Sequence, residues 1–368
     1  MDLRSTGLES MRVGTAAREA VERATQREQL LTPAGMEIPY DPYSEGRPTT
    51  EERRSFYGRE AILAKIRERL ERPGFALAVI EGGYRSGKTS LLETTGARMV
   101  KDGIVGTAIV YDLAPDCSSN SEQVVAGIED TIGGEEAGIE GEAVSAPVRK
   151  ERPATTLVML DGVEAYGSLH PEWLTEILDA LKAKGYKVAM AVTGDLHGTS
   201  AAELPREVKD KLLEMAGDDG VIVNELLTDE EARELLEQSK RQSKGPLFTE
   251  VMTEYLVAEA GGNPFLANLL ASNAFDLLRF RGVEPNGLVQ KLEEAVETEL
   301  WRFGQVVDVI VSAGFNPLTW EWRGEGTPPD VGVYQNMIPR PTSTIFLRWL
   351  TGYLDEKNKK DKENQAIG

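Results

Sequence analysis

Three features of the sequence predict an α/β fold, a parallel sheet with helices on both faces, followed by a helical region. Short apolar runs recur at Phe75–Ile80, Gly106–Leu113, Thr156–Leu160, Lys187–Thr193 and Val221–Leu226, with helix-period stretches such as Ser90–Val100 and Trp173–Leu181 between them. Strands that alternate with helices pair in parallel, because each helix carries the chain back to the same end of the sheet, and the helices then cover both faces. A glycine-rich stretch, Gly82 to Thr89, joins the first run to the helix that follows it. After Leu227 the strand-length runs stop, and helical periodicity continues through Phe248–Ala260, Pro264–Arg281 and Leu288–Phe303.

Taken in order, residues 1–52 read as an N-terminal arm. A short helix is expected near Ala16–Leu31, and beyond it the prolines Pro33, Pro39, Pro42 and Pro48 suit an extended segment. Ile62, Leu63, Ile66 and Leu70 fall at helical spacing, and Pro73-Gly74 ends that helix before the first strand. Residues 53–227 form the expected α/β domain, interrupted at Gly133–Arg152 by a Gly- and Glu-rich exposed insertion. Thr228 reads as an N-cap with Glu231 completing a capping box, which opens a helical region over 228–304. Phe265, Leu266, Leu269 and Leu270 are expected in its core. Residues 305–354 form a smaller mixed segment, and 355–368 a charged, solvated tail.

Composition narrows the function. Of 368 residues 40% are apolar, enough for a packed core, and 61 acids against 41 bases leave a net charge of −20. Such a field repels phosphate backbones and anionic lipid, so it disfavours a non-specific nucleic-acid or membrane binder. The basic spots Lys209–Lys211 and Lys240–Lys244 read as solvated helix faces. A single cysteine, Cys117, forms no intrachain disulfide. With no apolar signal segment in Met1–Gly14 and no apolar run of membrane-spanning length, a cytoplasmic location is expected.

Gly82-Gly83-Tyr84-Arg85-Ser86-Gly87-Lys88-Thr89 fits G-x-x-x-x-G-K-[ST] at every fixed position. Glycine lets a backbone wrap around phosphates and aim successive N–H groups inward, and the helix that follows adds the positive end of its dipole. Lys88 is expected to reach the β- and γ-phosphates and Thr89 to ligate Mg²⁺, with Ser90 beside them. ATP with Mg²⁺ is the expected ligand. Thr156–Leu160 then leads into Asp161, an apolar strand ending in a carboxylate, suited to the metal side of such a site. Two roles are open to Glu164: orienting the attacking water, or only starting a helix. Two are open to Thr193 as well, a γ-phosphate contact or a strand-end hydroxyl that satisfies backbone.

In one order the chain presents Phe56-Tyr57-Gly58-Arg59-Glu60, Gly82–Thr89, Leu157–Asp161, Val188–Gly194, Leu226–Ala232 and Gly261-Gly262-Asn263-Pro264-Phe265. Over roughly Phe56 to Leu354 this resembles the signal-transduction ATPases with numerous domains, the STAND class within the wider AAA+-like P-loop ATPases, and also the archaeal-type and origin-initiator ATPases. The resemblance implies that Gly58 and Arg59 lie near base and ribose, and that Pro264 of a helical lid packs near the adenine. It implies a winged-helix end at Thr342–Leu350. Relatives usually carry Glu directly after the strand-end Asp; here that position is Gly162, which implies slow hydrolysis. No arginine stands out as a finger completing the site, and Arg206 is the candidate. The resulting expectation is an ATP-driven switch whose nucleotide state controls self-assembly or a protein partner. Its alternatives are a DNA-linked helper ATPase and a nucleotide-binding scaffold without turnover.

Overall fold

The structure is a computed structural model, and it describes residues 3–37, 43, 58–83, 85–133, 155–194, 196, 204–237, 246–324 and 331–367. The Gly133–Arg152 insertion beyond Gly133, the Lys240–Lys244 spot, Phe56, Tyr57 and Tyr84 lie outside these residues. In chain order the first elements are α1 (Leu3–Glu22), α2 (Pro33–Glu37), α3 (Glu60–Glu71), β1 (Leu77–Gly82), α4 (Lys88–Lys101), β2 (Thr107–Asp112) and α5 (Ser121–Gly133). Next come β3 (Thr156–Asp161), α6 (Val163–Leu169), α7 (Pro171–Ala183), β4 (Lys187–Thr193), α8 (Arg206–Ala216) and β5 (Val221–Val223). The remainder is helical: α9 (Asp229–Leu236), α10 (Glu250–Ala260), α11 (Pro264–Arg279), α12 (Pro285–Leu300), α13 (Gly304–Ser312), α14 (Val331–Gln335) and α15 (Thr344–Ile367). By internal contacts the chain divides into two units, one of Pro48–Gly83 and Gly87–Glu225, the other of Met1–Arg47, Tyr84–Ser86 and Leu226–Gly368.

In the first unit the five strands form one sheet of order β2-β3-β4-β1-β5, with every pairing parallel. The predicted α/β fold is the observed one. Alternate strand residues face opposite ways, and both sets are apolar. Leu77, Val79, Val158, Leu160, Val188 and Met190 pack against residues of α5, α6, α7 and α8. Ala78, Ile80, Ala108, Met159, Ala189 and Ala191 pack against Leu63, Ile66 and Leu70 of α3 and Leu91, Leu92 and Met99 of α4. The second face is lined largely by alanine, and α4 lies close upon it. A Cβ added at Gly96 would stand 2.4 Å from the Met159 methyl carbon and 3.2 Å from the Ala108 Cβ. The fifth strand, Val221–Val223, is shorter than the apolar run Val221–Leu226, and its last bond to β1 runs from the Asn224 N–H to the Glu81 carbonyl at 2.7 Å.

In the second unit the N-terminal segment departs from expectation. Helix α1 starts at Leu3 and ends at Glu22, where a helix over Ala16–Leu31 was expected. Val21 and Leu30 are fully buried, Leu31 bridges Phe248, and Tyr43 donates to the Leu236 carbonyl at 2.8 Å. Packing on α10 and α12 decides these boundaries; local periodicity does not carry them. The capping box forms as read, with Glu231 N–H to Thr228 Oγ1 at 3.1 Å and Thr228 N–H to Glu231 Oε2 at 2.8 Å. Among the described residues of 304–367 there are three helices and one antiparallel bridge, Phe315 to Trp322. The charged stretch 355–367 continues helix α15.

Candidate functional site

The parallel ladder brings the predicted residues at the strand ends to one edge. Gly82 ends β1 and pairs in register with Thr193, which ends β4; Asp161 ends β3 and pairs with Asp112, which ends β2. Carboxyl ends of neighbouring parallel strands open onto the same edge, where the loops leave the sheet and ligands of α/β proteins bind. The glycine loop leaves β1 on that edge. Arg85 has φ 51° and Gly87 φ 89°, so the backbone turns through the left-handed region before α4 starts at Lys88. Ser86 is buried.

Lys88 is 9% exposed, and its Nζ donates to the Gly83 carbonyl at 2.8 Å and the Gly82 carbonyl at 3.3 Å. The ammonium therefore lies back along the loop, at the positive end of α4. Thr89 Oγ1 donates to Asp161 Oδ2 at 2.5 Å. The other carboxylate oxygen, Oδ1, accepts from Gly162 N–H at 3.0 Å. A hydroxyl from the first turn of α4 and a carboxylate from the end of β3 are thus set side by side, the kind of hard oxygen donors a divalent cation takes. Among the described residues no group of three or more His, Cys, Asp or Glu could hold a metal.

Gly162 follows Asp161 in the left-handed region, at φ 65°, and caps α6. A Cβ there would lie 2.4 Å from Asp112 Oδ1 and 2.8 Å from the Ala114 nitrogen. No side chain fits this position without displacing the Ala114 backbone and the Asp112 carboxylate. The next acid along the chain is Glu164, in the first turn of α6. Its carboxylate accepts the Thr193 backbone N–H, and burial pushes its pKa up, with the Lys88 charge opposing the shift. Lys88, Asp161, Glu164 and Thr193 therefore form one cluster across β1, β3 and β4.

Other predicted residues lie elsewhere. Gly58 and Arg59 both have positive φ, 70° and 64°, and lead into α3; Arg59 is 4% exposed. Arg206 opens α8 with a side chain 92% exposed, 3.7 Å from Asp210. In the helical unit Pro264 is the first residue of α11, and Asn263 caps the helix through Oδ1 to Leu266 N–H at 3.0 Å. The segments at 226–232 and 261–265 meet there: Leu227 N–H donates to the Gly262 carbonyl at 2.8 Å, and Arg340 N–H to the Gly261 carbonyl at 2.8 Å. Leu266, Leu269 and Leu270 are core residues as expected. Phe265 is not; it is half-buried, with the Arg85 guanidinium 4.3 Å from its ring centroid. Lys209 also departs from expectation, being 6% exposed, while Lys211 pairs with Asp179 at 3.5 Å.

Two acids escaped the sequence reading. Glu81, the residue before Gly82, is 1% exposed, and Asp112 holds the Ala114 N–H at 2.9 Å beside Gly162. The signal for Glu81 was a lone charge inside an apolar strand; Asp112 carried none.

Sheet order and loop geometry make this chain an α/β protein of P-loop fold. No protein-family model matches it, and no curated protein matches it. Solved structures similar to it include a Walker-type ATPase of Pyrococcus abyssi, 16% identical with a TM-score of 0.47 over 83% of this chain and 92% of that one. A RuvB variant of Thermotoga maritima is 13% identical with a TM-score of 0.44 over 80% and 89%. AMPPCP-bound DnaA of Aquifex aeolicus is 14% identical with a TM-score of 0.41 over 86% and 95%. Likeness at this level carries no functional argument.

Proposed function

We propose that this chain is an ATP-binding, slowly ATP-hydrolysing switch of the STAND or AAA+ type, its nucleotide state controlling self-association or a protein partner. One observation carries the reading: the Thr89 hydroxyl sits on the Asp161 carboxylate beside the buried Lys88 ammonium, where α4 begins. In this reading the loop N–H groups from Gly82 to Thr89 cradle the phosphates and Lys88 binds the β- and γ-phosphates. Thr89 and Asp161 would hold Mg²⁺. When bound, the metal ion offsets the charge that develops on the transferred phosphoryl group.

The chain's own residues do the rest. Glu164 is the acid placed to orient a water and take its proton. Its buried position raises its basicity, and the N–H of Thr193 fixes its direction. Because that carboxylate sits two residues beyond the usual position, turnover is slow. Gly58, Arg59 and Pro264 are assigned to the base and ribose on the resemblance alone, and Arg206 to an arginine finger acting between copies of the chain.

Nucleotide binding is tested directly. Lys88→Ala should weaken ATP binding about 100-fold or more by titration calorimetry, since it removes a charge-assisted contact to phosphate. Wild-type protein that binds neither ADP nor ATP in the presence of magnesium would overturn the reading.

A further inference from the structure

Glu81 lies inside the most buried strand of the sheet, one residue before the glycine loop. By alternation it shares a face with Leu77 and Val79, and an apolar side chain there would pack without the desolvation that a carboxylate suffers. What the acid does instead is accept a hydrogen bond. Glu81 Oε2 takes the Leu196 N–H at 3.1 Å, reaching past its own register partner Val192 to the turn that follows β4. That turn is anchored at two further points. Gly194 N–H donates to the Gly82 carbonyl at 3.2 Å, and Thr193 N–H donates to the Glu164 carboxylate. Each anchor sits on the candidate site: one on the proposed base, one on the first glycine of the loop, one on the residue before it.

We propose that Glu81 is a positioning residue, which holds the β4 exit turn against the start of the phosphate loop and thereby sets where Thr193 and Glu164 stand relative to the γ-phosphate. The proposal rests on the nucleotide reading above. Loss of the Leu196 anchor leaves the loop and Lys88 in place, so binding of the phosphates persists. The turn is released at its far end, and Thr193 with Glu164 loses its fixed position. A displacement of that kind falls on turnover and on discrimination of ATP from ADP.

The test compares Glu81→Ala, Glu81→Gln and Glu81→Asp with wild type, each checked for folding by its thermal midpoint. Glu81→Ala is expected to lower kcat about tenfold or more with KM and ADP affinity within about threefold, the pattern of lost positioning. Glu81→Gln keeps an acceptor of the same length and should recover to within about threefold of wild type. Glu81→Asp keeps the charge but is one methylene short, and should resemble Glu81→Ala; it carries the test if the alanine variant does not fold. Should wild type bind nucleotide without turning it over, the readout is the preference for a non-hydrolysable ATP analogue over ADP, which should fall toward one in Glu81→Ala and Glu81→Asp. Normal kcat and preference in these variants, a glutamine variant no better than alanine, or a parallel loss of ADP binding overturns the assignment. Those outcomes leave the nucleotide reading standing, whereas wild type that binds no nucleotide overturns both.

Discussion

In the proposed mechanism Gly162 and Glu164 divide between them the position and the acid that relatives are expected to combine in one residue. The division follows from geometry: a left-handed backbone and the nearby Asp112 and Ala114 exclude any Cβ at 162. Gly162→Glu should therefore fail to raise hydrolysis, and should cost about 2 kcal/mol of stability or more in urea unfolding, from backbone strain and overlap together. The position of Glu164 also sets a pH dependence. A base acts when ionised, and burial shifts this ionisation above the ordinary glutamate range. The turnover rate should climb with rising pH as Glu164 loses its proton, later than a solvent-exposed glutamate would, and Glu164→Gln should abolish that limb while ATP still binds. At this scale the glycine loop was legible because its chemistry is contiguous in sequence. The role of Glu81 was not, since its partner Leu196 lies 115 residues away.

Helix starts and packing contacts decide the elements. Helix α4 begins at Lys88, as the motif requires, and its closeness to the sheet depends on Gly96 facing Met159. Helix α15 starts on a buried acid of another helix. Glu259 of α10 is 0% exposed; its Oε2 accepts Ile345 N–H at 3.0 Å, Oε1 accepts the Thr344 hydroxyl, and Ser343 Oγ caps Phe346 N–H at 3.1 Å. Burial pushes the Glu259 pKa up to about 7, against the two hydrogen bonds and Arg18, with Glu293 adding to the rise. The folded form thus holds a proton that the unfolded chain releases near 4.5, the ordinary glutamate value. Stability from this group is complete below that value and is lost as pH rises toward about 7. The loss is on the order of 3 kcal/mol, at 1.36 kcal/mol for each unit of displacement. Glu259→Gln should flatten the fall in urea midpoint between about pH 5 and about pH 8; an unchanged slope would refute the assignment. The resemblance implies a winged-helix end at Thr342–Leu350, and only the packed structure identifies Glu259 as the acid beneath it.

For the whole molecule the net charge of −20 sets the terms for partners. Lys209 is buried and Lys211 is paired with Asp179, so this basic spot offers little to a phosphate backbone. Duplex DNA should bind weakly even at low salt, with a shallow salt slope in fluorescence anisotropy; steep salt-dependent binding would favour the DNA-linked alternative. No helix among the described residues is long and apolar enough to cross a membrane. If nucleotide state controls assembly, sedimentation of the chain with ADP and with a non-hydrolysable ATP analogue should give different sizes. Equal sizes would remove the assembly role and leave ATP binding untouched.

Sequence alone determined the sheet-and-helix alternation, the glycine loop running into Lys88 and Thr89, the strand-end Asp161 and the capping box at Thr228. Each is written in neighbouring residues, so periodicity and local hydrogen bonding suffice to read it. Tertiary structure decided where α1 ends, why position 162 bears no side chain, and which acids are buried. Those outcomes depend on distant segments meeting at one sheet edge or one helix start, where the cost of burying a charge or a Cβ is settled by whatever packs against it.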